Sequence, residues 1–222
     1  MAWYVFALVD AIPAERAGSG LSGPLSLRKL DAGFAVVERR ADVPPVAFGS
    51  LKKHQDVVTR LAGSVPAILP VRFGTLLEDD HFDEALEERD EEIADAFDLV
   101  RGRVQFTWRR SKAGSPAKAL ARGRTPAAGD RKSGTAYLRQ AARASNPAAP
   151  AAFRVLKSKL SPLIIAQRYQ PERAALPEAV YHLVDRKKAD RYSLAAAALT
   201  KTGALLTVSG PFPPFAFAPE IL

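Results

Sequence analysis

Three histidines, His54, His81 and His182, are the side chains best suited to proton or metal chemistry here, and they lie too far apart in sequence for any two to stand at metal-ligand spacing. The chain has no cysteine, which removes thiol catalysis, thiolate metal sites and disulfides together. A serine nucleophile elbow, G-x-S-x-G, does not occur. Glu78-Asp79-Asp80-His81, with Asp83 and Glu84, has the charge to attract a divalent cation but lacks the glycine and ligand spacing of a calcium loop. Acids placed there suit the start of a helix. Neither phosphate-loop pattern is present, and Gly18-Ser19-Gly20 with Gly23 has no helix after it. These residue types and spacings predict no catalytic centre, metal or cofactor, and the chain reads as a non-enzyme. His54 is expected on a helix at the edge of the core, and His182 on the exposed face of a strand.

Binding chemistry is better represented. Arg72 sits in the short apolar run 69–75 (LPVRFGT), bounded by Pro66, Pro70 and Gly74, and its alternating neighbours Pro70 and Gly74 are small. A covered guanidinium must find a partner, so Arg72 is a candidate structural ion pair with an acid or with helix C-terminal carbonyls. Residues 103–110 (RVQFTWRR) interleave aromatics and charges on a predicted strand, a pattern that would suit RNA bases stacking on an open sheet. The K/R-G-F/Y-G/A-F run of that module is missing. The tail places Phe212, Phe215 and Phe217 around Pro213 and Pro214, a stiff apolar segment. It either folds back as a cap or stays exposed as a candidate partner contact.

The elements that must position these residues follow from periodicity. Residues 3–9 (WYVFALV) form a continuous apolar run, the pattern of a central strand buried on both faces. Residues 25–30 and 33–38 read as a hairpin. Leu51, His54, Val57, Val58 and Leu61 recur at helical spacing after Ser50, a helix ending near Gly63. A second helix is expected from Asp79 or Asp80 to Val100, with Phe82, Leu86, Ile93, Phe97 and Val100 as its apolar stripe. Further strands are expected at 103–108, 163–169, 179–185 and 205–209, and helices from Gly134 and over 186–200.

The 222 residues suffice for two domains. The spacing predicts an α+β fold with an N-terminal domain at 1–110, a flexible basic linker or insertion at 111–132, and a C-terminal α+β ferredoxin-like domain at 133–222 ending in the Pro/Phe-rich tail. Strand order in the first half suggests a ferredoxin-like βαββαβ unit that has lost its first helix. The net charge of +8 divides into −8 over residues 1–100 and +16 over 101–222, so attraction between the halves, or an acidic partner, is expected. No apolar run is long enough to span a membrane and no signal-peptide pattern opens the chain, so a cytoplasmic protein with no membrane span is expected.

Residues 68–75 (ILPVRFGT), 3–9, 179–184 (AVYHLV), 134–138 (GTAYL) and above all 209–217 (SGPFPPFAF), in that chain, resemble the GvpL/GvpF family of gas vesicle proteins. The resemblance runs nearly end to end. It departs where the family usually has tryptophan at Phe212, tyrosine at Phe215 and serine at Ala216, which keeps apolar bulk but drops the polar handles. The resemblance implies two α+β domains, the N-terminal one modified ferredoxin-like, and no enzymatic activity. It also implies an accessory role in gas vesicle formation, with the shell protein GvpA and other accessory Gvp proteins as partners and the gas vesicle as location. An RNA-binding module with a basic C-terminal half is the alternative; no nucleic acid is expected under the first reading.

Overall fold

The structure, a computed structural model, describes residues 2–14, 18–110, 153, 156, 159–172, 177–201 and 206–220. The expected linker 111–132 and the helix from Gly134 lie outside the described residues.

Strand β1 (Ala2–Val9) is the spine of the first sheet, as its unbroken apolar run predicts. β3 (Phe34–Arg40) pairs along one side of it and carries β2 (Ser26–Lys29) on its outer edge. On the other side β4 (Ile68–Pro70) pairs with the end of β1 and β5 (Leu76–Glu78) with its start. A register shift between Val5 and Ala7 turns both Phe6 and Ala7 toward one face. There they meet Val57, Val58 and Leu61 of α1 (Phe48–Ser64), while Val5 and Leu8 point to the opposite core.

Two expected elements are each broken in two. The 69–75 run is a strand only through Pro70, with Val71 N–H still bonded to Phe6 O at 3.0 Å; Thr75 N–H then bonds to Arg72 O at 3.3 Å, and the chain turns into β5. Arg72 therefore lies on a turn, 79% exposed, rather than inside a strand. The acidic helix forms as α2 (Phe82–Glu87) and α3 (Asp90–Val100). A continuous helix would carry Arg89 or Asp90 onto the buried stripe between Leu86 and Ile93. The break lets Arg89 Nη2 reach Glu92 at 2.6 Å, and lets Asp90 accept Ala32 N–H at 2.9 Å from the β2–β3 turn.

β6 (Arg103–Arg110) lies inside a second sheet of order β7-β8-β6-β9, with β7 (Ile164–Gln170), β8 (Ala179–Asp185) and β9 (Leu206–Phe212). Strand by strand, the chain changes sheets at residues 101–102 and not after residue 110. The pairing is antiparallel throughout, and both sheets read fourth, first, third, second strand when β5 is set aside. α4 (Ala189–Lys201) covers the second sheet, with Tyr192 and Ala196 against Phe106, Trp108, Val180 and Val184; Phe153, Leu156 and Leu160 share that core. Leu183 points the other way, into the core that β1, α2 and α3 build, so the two sheets share apolar packing.

Candidate functional site

The tail that follows β9 folds back over the junction of the two sheets. A bulge aims it there. Gln105 pairs with Phe212 and Thr107 with Ser209, so Gly210 and Pro211 together stand opposite the single residue Phe106. Gly210 has φ +131°, and a Cβ there would stand 2.7 Å from Gln105 O, so the position requires glycine. Beyond the bulge the buried Gln105 side chain accepts Ala216 N–H through Oε1 at 2.7 Å and donates through Nε2 to Thr107 Oγ1 at 3.3 Å. Arg168 Nη1 donates to Ala216 O at 2.7 Å, and its guanidinium lies 5.6 Å from the Phe217 ring centre. Burial pushes the Arg168 pKa down from its ordinary value. Further on, Glu220 receives Arg72 at its carboxylate (2.9 Å) and Arg89 at its carbonyl (3.0 Å).

The five tail residues named from the sequence therefore have different fates. Phe217 is 2% exposed inside the shared core, and Pro213 and Pro214 are buried, so this chain itself occupies three of the five candidate contacts. Phe215 is half-buried against the α1-side core, and Phe212, at 38% exposure, is the one left open. Gln105 and Arg168, which hold the tail, were missed. The available signal was that Gln105 and Thr107, uncharged polar residues, occupy the second face of a strand whose ends are arginines.

Arg72 meets Glu220, but with the two side chains 79% and 86% exposed the pair stands in water. The acidic stretch pairs locally. Asp79 takes Arg28 and Arg39 at 3.4 and 3.3 Å, Asp83 takes Arg28 at 2.9 Å, and Asp98 takes Arg101 at 3.4 Å, all within the first sheet's unit. Trp3 lies between the Arg28 and Arg39 guanidinium groups and donates its indole N–H to Asp79; this bond is the first cause of the lowered Asp79 pKa. Glu78, Asp80 and His81 converge on the surface, all exposed.

The histidines are spacers in polar chains. His54 Nε2–H donates to Val71 O at 3.2 Å, and its Nδ1 accepts Tyr4 O–H at 2.9 Å; Tyr4 Oη in turn accepts Gly74 N–H at 3.2 Å. That chain pins the 71–75 turn to α1. His182, expected on an exposed face, is wholly buried because α4 covers that face of β8. Tyr192 Oη accepts Trp108 N–H at 2.6 Å and gives its own proton to His182 Nδ1 at 2.6 Å; Nε2 has no hydrogen-bond partner among the described residues. Burial lowers both histidines from 6.5 to about 4, so both are neutral at pH 7. The glycine-rich loop does cradle an anion, but one from its own chain: buried Glu38 accepts the N–H groups of Leu21, Ser22 and Gly23 at 2.6, 3.1 and 3.0 Å and the Ser22 hydroxyl at 2.8 Å.

The aromatics that RNA stacking would need on an open sheet are covered, Phe106 being 2% and Trp108 0% exposed beneath α4. That overturns the basis of the RNA-binding alternative.

A family model described as gas vesicle synthesis protein GvpL/GvpF matches residues 2–219. Among solved structures, the gas vesicle protein GvpF from Anabaena sp. PCC7120 superposes with TM-score 0.69 at 15% identity, covering 98% of this chain and 96% of that one. GvpF from Microcystis aeruginosa gives 0.67 at 10% identity, covering 98% and 99%. At these identities the likeness is one of fold. A comparison with curated protein sequences gave no match.

Proposed function

The chain belongs to the GvpL/GvpF family of gas vesicle synthesis proteins, and on that premise we propose that it is a non-enzymatic accessory factor of gas vesicle formation, binding the shell protein GvpA and other accessory Gvp proteins during assembly. The observation that carries the reading is the family match over residues 2–219. Exposed Phe212 and Phe48 supply apolar surface of the kind a protein partner covers. No helix among the described residues is long and apolar enough to cross a membrane. Location at the gas vesicle and in the cytoplasm belongs to the same proposal. So does the division into two ferredoxin-like domains, one sheet each and meeting at residues 101–102, which the repeated strand order supports.

Deleting the gene alone and counting vesicles by electron microscopy tests the role. Vesicles are expected to vanish and to return with a plasmid copy; an unchanged vesicle count overturns the proposal. Retention of purified GvpA on the immobilised chain tests direct binding, and its absence would remove the shell protein from the partner set.

A further inference from the structure

The start of α1, the 71–73 turn and Phe215 of the tail enclose an open cleft of about 540 Å³, within the range of ligand-binding clefts. Its apolar walls are Phe48, Leu51, Val71, Phe73 and Phe215. The charged residues on its rim are Lys52, which is paired with Asp56 at 2.7 Å, and Arg72, both cations; its lining contains no carboxylate. His54 at the floor is uncharged, with both ring nitrogens occupied by Tyr4 and Val71.

Two observations single this cleft out from ordinary surface. Phe48 is 83% exposed and Val46 beside it 82%, so the cleft continues into a patch of uncovered large side chains, while Leu51 adds 40%. In addition, α1 has no acid in its first turn and no side-chain cap, so the positive end of its dipole, at Phe48, adds to the two cations. The rim already takes a carboxylate from this chain. Glu220 Oε1 lies 2.9 Å from Arg72, in a pair so exposed that it exchanges at little cost.

We infer that this cleft is a docking site for a protein segment that presents one or two large apolar side chains next to a carboxylate. The apolar groups seat between Phe48 and Phe73, and the carboxylate replaces Glu220 on Arg72. The inference rests on the cleft's chemistry and not on the assembly reading.

The test pans a random 12-residue peptide library against the full chain, with Phe48→Asp as the counter-target. Phe48 is exposed, so the variant is expected to keep the parent's melting temperature. Enriched peptides should combine an aromatic or leucine with Asp or Glu. A synthetic copy of the strongest should bind Phe48→Asp at least tenfold more weakly and Arg72→Glu several-fold more weakly, with slowed amide exchange over 46–55 and 71–75. If no peptide depends on Phe48, or if the enriched set is basic, or if Arg72→Glu binds as well as the parent, the inference falls. Vesicle loss on gene deletion together with that result would leave the assembly role standing and remove only the cleft.

Discussion

Gln105 and Ala216, 111 residues apart, are joined at 2.7 Å by the bond from the Ala216 peptide N–H to the Gln105 side-chain carbonyl. Gln105 is 4% exposed, and this partly buried bond ties the tail to an inner strand of the second sheet.

Gln105→Leu removes the acceptor while leaving the Ala216 N–H partly buried. A buried donor without a partner costs about 1–3 kcal/mol. Urea unfolding should show that loss, and amide exchange at Ala216 should accelerate more than exchange in β1.

The tail phenylalanines should separate sharply. Phe217→Ala empties a place in the shared core and is expected to cost about 3–5 kcal/mol, whereas Phe212→Ala, at an exposed site, should stay within about 0.5 kcal/mol. Arg72→Ala breaks a solvent-exposed pair and should change stability by less than about 1 kcal/mol. Thermal melts of the three variants measure the order; a Phe217→Ala melt equal to that of Phe212→Ala would contradict the buried tail.

Glu38→Gln keeps the shape of the clamp but loses its charge and replaces one acceptor oxygen with a donor facing N–H groups. Each charge-assisted bond is worth about 1.5–3 kcal/mol. Limited proteolysis should cut the 18–25 loop faster in the variant, and the global unfolding midpoint should fall. Gly20→Ala should do the same, because a Cβ there would lie 2.1 Å from Glu38 Oε2.

Acid should destabilise the fold through His54 and His182. Both have folded-state values of about 4, below the ordinary 6.5, so between those limits the unfolded chain binds the extra protons. Their contribution is fully present above about pH 6.5 and is lost as pH falls toward 4, on the order of 3 kcal/mol per histidine. Unfolding free energies measured from pH 7 to 4.5 should decline, and His54→Gln with His182→Gln should flatten the decline.

Much of the fold is legible in residue pattern. The apolar run of β1, the helical spacing of α1 and the run 179–185 all became the elements they predict, because burial on both faces or along one stripe leaves a periodic mark. Membership of the family was legible too, in residues spread from Trp3 to Phe217. Pattern could not place what depends on a distant neighbour. His182 alternates like an exposed strand residue, and only α4 lying over that face buries it. Phe217 and Phe212 are the same residue type five positions apart in one Pro-rich tail. Which of them enters the core was decided by the bulge at Gly210 and by Gln105 and Arg168 holding Ala216, contacts that exist only once both sheets have formed.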